Sequence, residues 1–131
     1  MATFRKIVVN DKEYQWKFTL DEFYYEGDSH LVIRSGDKKG KMIIHFRTGK
    51  FDHGFCPFNK GLPATYKGEP VAINLNQPRF IAEIITYRLS QQQTDSLTGH
   101  FETRYGLEML HDMGYEFEYE KNWEVEAVLG T

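Results

Sequence analysis

The sequence predicts an α+β domain: an antiparallel sheet of about five to seven strands packed on one main helix, with a second short helix and a C-terminal hairpin. Three observations predict it. Residues 76–92, NQPRFIAEIITYRLSQQ, repeat apolar side chains at helical spacing. The first third of the chain holds several stretches of strict apolar–polar alternation, the period of a strand with one wet face. The same alternation returns over 115–120 and 123–127.

Residues 4–9 and 14–20 open the chain as a hairpin. Tyr14, Trp16, Phe18 and Leu20 alternate with Gln15, Lys17 and Thr19. A turn over 10–13 would set Val9 opposite Tyr14 and Ile7 opposite Trp16, so that both pairs share the apolar face. Residues 22–26, EFYYE, either continue this strand after a bend or form a short one of their own, and 27–29 form a turn. Residues 30–34 read as a strand with Leu31 and Ile33 on one face, 36–40 as a charged hairpin loop, and 41–47 as the returning strand. In that last strand Met42, Ile44 and Phe46 share one face, and Ile43, His45 and Arg47 the other.

The stretch 49–70 differs in character. It holds Gly49, Gly54, Gly61 and Gly68 with Pro57, Pro63 and Pro70, yet Phe51, Phe55, Phe58, Leu62 and Tyr66 run through it. A long loop carrying this much apolar surface is expected to pack as a lid over one end of the sheet. Residues 71–75 then lead, extended, into the helix.

The helix begins with Asn76 as N-cap and Pro78 in the first turn, where a missing N–H costs nothing. Phe80, Ile81, Ile84, Ile85, Arg88 and Leu89 form its apolar stripe, with Arg79, Glu83, Thr86 and Gln91 opposite. The glutamines at 91–93 end it. A helix of about four turns is marginal alone in water and needs a sheet face to cover. Too few basic residues flank the stripe for a membrane surface. A second helix is predicted over 103–113, with Leu107, Leu110 and Met113 in step, Gly114 as its stop and Gly106 weighing against it. The C-terminal hairpin is expected to turn at 120–122 with Asn122 left-handed, which sets Tyr119 opposite Trp123 and Phe117 opposite Val125. One long bent strand is the alternative.

A chain of 131 residues suits one domain spanning 1–131. Ten Phe, eight Tyr and two Trp suggest sheet packing with an aromatic cavity or interface. The net charge of −3 is uneven. Residues 1–50 carry ten Lys and Arg against seven Asp and Glu, or +3; residues 51–131 carry six against twelve, or −6. The chain as a whole is therefore not the basic footprint of a nucleic-acid binder. With one cysteine, Cys56, no intrachain disulfide is possible. Neither an apolar leader nor a run near 18 apolar residues stands out, so a cytoplasmic protein without a membrane partner is expected.

Metal-ligand residue types cluster only around His45, Asp52, His53 and Cys56, with His100 or His111 as distant additions. A zinc site needs three or four well-placed ligands, and an ordinary buried Cys56 beside a surface His53 explains the pattern better. Cys56 with a histidine base could also form a nucleophilic pair, but the surrounding GFCP matches no catalytic signature. His100, Glu102 and Arg104 form a small polar group near Gly99. Phosphate cradles and dinucleotide fingerprints are missing, so no cofactor and no metal are expected. Lys6, Lys17, Arg34, Lys41 and Arg47 fall on strands. Basic strands can hold single-stranded nucleic acid where aromatics stack its bases, but a solvated outer face needs such residues anyway.

Glu116, Glu118, Glu120, Glu124 and Glu126 place like charges on adjacent strands, a cost that an opposing basic surface would relieve. The basic first half of a neighbouring copy could supply that surface. The expectation is a non-enzymatic binding or interaction protein, acting on a protein partner or as a homodimer through this acidic row. The alternative is a small-molecule-binding protein or small enzyme with an aromatic pocket under the 51–66 loop, formed by Phe51, His53, Phe55, Cys56, Phe58 and Tyr66 with His45 at its mouth.

Overall fold

The computed structural model of the chain describes residues 3–20, 28–47 and 62–117. Its elements follow the order β1 (Arg5–Val9), β2 (Lys12–Leu20), β3 (Asp28–Ser35), β4 (Gly40–Arg47), β5 (Leu62–Tyr66), β6 (Glu69–Ile73), α1 (Pro78–Gln92), β7 (Gly99–Thr103), α2 (Gly106–Asp112) and β8 (Tyr115–Phe117). The expected α+β architecture is present. The strands form two sheets, one ordered β1-β2-β3-β4-β7 and one ordered β6-β5-β8.

β1 to β4 are the predicted antiparallel meander. The first hairpin is tighter than the alternation alone suggests. Asn10 and Asp11 both take positive φ, 52° and 64°, so the loop is a two-residue turn whose twist matches that of the strands. Val9 therefore faces Lys12, Ile7 faces Tyr14, and Arg5 faces Trp16. This corrects the expected Val9–Tyr14 register by two positions. A two-residue shift preserves the strand period, so the predicted faces survive. Tyr14, Trp16, Phe18, Leu31, Ile33, Met42, Ile44 and Phe46 are all buried on the inner face. The turn expected at 27–29 is also corrected, since β3 already runs from Asp28.

The large sheet is mixed, because β7 joins it parallel to β4. The sequence reading assigned residue 103 onward to a helix and left the preceding stretch without a strand. Gly40 lets the chain before β7 come close: a Cβ there would lie 2.3 Å from the Leu97 carbonyl carbon and oxygen. The Gly99 N–H donates to the Lys39 carbonyl at 3.0 Å.

The stretch predicted as a lid is corrected over 62–70. There the chain forms a second hairpin, β5 and β6, around Lys67 and Gly68 with φ of 52° and 82°. Pro70 lies on β6, an edge strand, where a missing N–H breaks no ladder. The rest of the expected lid, at 49–61, lies outside the described residues, as does the EFYYE stretch.

α1 runs over Pro78–Gln92 and buries Phe80, Ile81, Ile84, Ile85 and Leu89, five members of the predicted stripe. Burying each such side chain is worth about 1.5–3 kcal/mol relative to exposure. The sixth, Arg88, lays its guanidinium over the Phe101 ring at 3.9 Å. The N-cap is Gln77 rather than Asn76, without a side-chain cap, and Gln93 closes the helix in the left-handed conformation. α2 is shorter than expected. Gly106, which weighed against a helix, is its first residue and packs against Phe46, where a Cβ would meet the ring at 2.5 Å. β8 lies antiparallel to β5. The remainder of the expected C-terminal hairpin, including its 120–122 turn, lies outside the described residues.

Candidate functional site

Strand periodicity assigns the outer face of the large sheet. Inner positions are taken by the core, so Lys6, Val8, Glu13, Gln15, Lys17, His30, Val32, Arg34, Lys41, Ile43, His45, His100 and Glu102 fall on the opposite side, where Val32 is nonetheless buried. The described helix contacts with this sheet are on the inner side: Gly106 of α2 at Phe46, and Arg88 of α1 at Phe101.

At the β3-β4-β7 end of this face lies a group of imidazoles around one carboxylate. His30 and His45 are directly paired across β3 and β4, with ring centroids 5.8 Å apart. Glu102 stands beside Ile43 in the parallel ladder, one outward step from His45. The His45 Nε2–H donates to Glu102 Oε2 at 2.8 Å, and His100 Nε2 lies 3.6 Å from Glu102 Oε1. Hydrogen bonding from His45 holds the Glu102 carboxyl below its usual range against a smaller opposing effect of desolvation, with His100 adding to the depression. The carboxylate remains solvent-accessible. The two imidazoles engage separate oxygens of one carboxylate. Among the described residues no group of three His, Cys, Asp or Glu side chains is arranged to hold a metal ion.

The other end of the face is basic. Phe4 is covered by the Arg34 guanidinium at 3.7 Å and by Lys17 Nζ at 4.8 Å. Arg34 Nε also donates to Gln15 Oε1 at 2.6 Å. The Phe4 ring is thus occupied by the protein's own cations rather than open to a stacked base. Lys6 on β1 is exposed, and so is Lys41, which stands in register with His100. Neither forms an ion pair among the described residues, where the salt bridges are the two made by Glu102.

Of the residues singled out as an aromatic pocket, Phe51, His53, Phe55, Cys56 and Phe58 lie outside the described residues. His45 lies on β4 of the large sheet and Tyr66 on β5 of the small one. Tyr66 packs on Tyr115 with ring centroids 4.9 Å apart, and Lys67 sits over its ring. In the acidic row Glu116 is exposed on β8, and Glu118, Glu120, Glu124 and Glu126 lie outside the described residues. The small polar group of His100 and Glu102 is present, and the structure adds His45 to it. Sequence reasoning missed this addition because the two partners stand 57 positions apart and only the unanticipated β7 brings them together.

No family model matches the chain, and comparison with the curated proteins and with the solved structures finds no match.

Proposed function

We propose that the chain is a non-enzymatic interaction domain that self-associates, taking the Glu-rich segment of a second copy on the outer face of its large sheet. The observation that carries this reading is the uncompensated charge of that face. Lys6, Lys17, Arg34 and Lys41 share it with Glu13 and Glu102, Asp28 and Arg47 being opposite each other in register, and Glu102 is already engaged by histidines. The same chain carries Glu116, Glu118, Glu120, Glu124 and Glu126. Complementary charge of this kind directs association and register more than it sets affinity. Nucleic acid fits the face less well, because Phe4, its one described Phe, Tyr or Trp ring, is capped by Arg34 and Lys17.

Sedimentation velocity of the full chain tests the reading. In low salt the wild type is expected to associate. It should return to monomer in about 0.5 M salt, where the screening length falls to a few ångströms. Charge reversal at two exposed positions, Lys6→Glu with Lys41→Glu, should weaken association, and Glu118→Lys should do so from the other side. A wild type that stays monomeric in low salt overturns the proposal, as does association that ignores both the charge reversals and the salt.

A further inference from the structure

We propose that the His45–Glu102–His100 group makes the outer face a proton-gated anion acceptor, binding acidic protein segments more tightly as pH falls through the imidazole range. The inference rests on the reading of this face as a docking surface for carboxylates, and supplies its regulation.

The geometry is specific to charge control. With neutral imidazoles the described outer face carries Lys6, Lys17, Arg34 and Lys41 against Glu13 and Glu102, a net of +2. Protonating His45 and His100 takes this to +4. Imidazoles change charge between about pH 5 and 8, where carboxylates and lysines do not. Glu102 is the pivot. It lies 2.8 Å from one imidazole nitrogen and 3.6 Å from the other, so at neutral pH it presents a negative charge at the edge of a basic face. Once both rings are protonated, that charge is more than neutralised, and the group repels acidic partners no longer.

Other described charges surround the group. β3 contributes His30 and Arg34, with Asp28 further along in register with Arg47 of β4. β4 contributes Lys41, in register with His100, β2 contributes Lys17, and Arg104 follows β7. α2 carries Glu108, His111 and Asp112, all exposed. Lys17, Arg34, Lys41 and Arg104 keep one charge across the imidazole range.

Fluorescence anisotropy with labelled poly-L-glutamate as the probe tests this on the full chain at constant ionic strength. The polymer has no imidazole and stays largely ionised above about pH 5.5. Wild-type affinity is expected to be about five- to tenfold higher at pH 5.8 than at pH 7.8, the scale of two or three surface charges. In His45→Gln with His100→Gln the ratio of the affinities at pH 5.8 and pH 7.8 should fall most of the way to one. Glu102→Gln should bind more tightly at pH 7.8 and gain less on acidification. Circular dichroism melts confirm that each variant is folded. Binding that is equal at both pH values, or a gain untouched in the double histidine variant, overturns the gate while leaving the docking face intact. Absence of binding at both pH values overturns both.

Discussion

The Tyr115 hydroxyl donates a 2.8 Å hydrogen bond to Glu83 Oε2, joining β8 to the middle of α1. Tyr115 also touches Phe80 and Tyr66, with ring centroids 6.3 Å and 4.9 Å away. One side chain therefore ties the small sheet to the helix through both apolar and polar contacts. Burial holds its phenol well above the ordinary range, and the Glu83 carboxylate, by hydrogen bond and by charge, raises it further.

The Tyr115–Glu83 contact yields one prediction near neutrality and one in alkali. Near neutrality Tyr115→Phe leaves the Glu83 carboxylate without its donor and should cost about 1–3 kcal/mol by urea unfolding. The raised phenol means that its contribution is complete below about pH 10, the unfolded value, and is lost as pH climbs through the folded one. Wild-type melting temperature should therefore fall above about pH 10. Burial raises the Tyr14 and Tyr87 phenols in the same direction, so Tyr115→Phe should flatten the alkaline fall in part. An unchanged alkaline slope would assign it to the other two tyrosines.

Replacing glycine at two tight contacts should separate helix propensity from packing. Gly106→Ala gains about 1 kcal/mol of intrinsic helix preference. Its Cβ, however, would sit 2.5 Å from Phe46 Cδ1 and 2.7 Å from the His45 carbonyl oxygen. The expected outcome is net destabilisation, in the range of about 1–3 kcal/mol seen for overpacking. Gly40→Ala should be worse, because the 2.3 Å clash is with Leu97 backbone rather than a ring that can turn. A stabilised Gly106→Ala protein would show that α2 does not seat on Phe46.

Ile84 is 1 % exposed on the buried stripe of α1. Ile84→Ala should lower unfolding free energy by about 2–5 kcal/mol, transfer and cavity terms together. Thr86, exposed on the opposite side, hydrogen-bonds back to the Ala82 carbonyl at 2.8 Å. Thr86→Ala should be near neutral or slightly stabilising, since it removes that bond but improves helix propensity. Equal effects at the two positions would take the helix out of the core.

The Glu102 carboxyl should titrate below the ordinary glutamate value of about 4.3 when followed by side-chain carbon shifts in NMR. His45→Gln should move the midpoint back up more than His100→Gln, because the 2.8 Å contact is the stronger cause. By sign, a depressed carboxyl favours the folded state above the unfolded value, and that contribution is lost as pH falls through the folded one. A larger response to His100→Gln would reverse the assigned order of the two contacts.

Alternation and helical spacing by themselves determined which side chains enter the core. Tyr14, Trp16 and Phe18, then Met42, Ile44 and Phe46, then Phe80, Ile81, Ile84, Ile85 and Leu89, are legible from spacing and are buried as spaced. Side-chain direction repeats with the local backbone, so a face needs no knowledge of its partner. Even the misjudged first turn left these faces intact. What tertiary structure alone decided is pairing at a distance. Gly99–Thr103 has exposed or half-buried side chains throughout and carries little local strand signal, yet β4 recruits it in parallel. The second hairpin was obscured by Pro63 and Pro70, which an edge position and a short partner strand tolerate. The candidate site belongs to this second kind. His45 and Glu102 become neighbours only after β4 and β7 pair, a long-range closure whose energy comes from the packed sheet and helices, and which no spacing within either segment encodes.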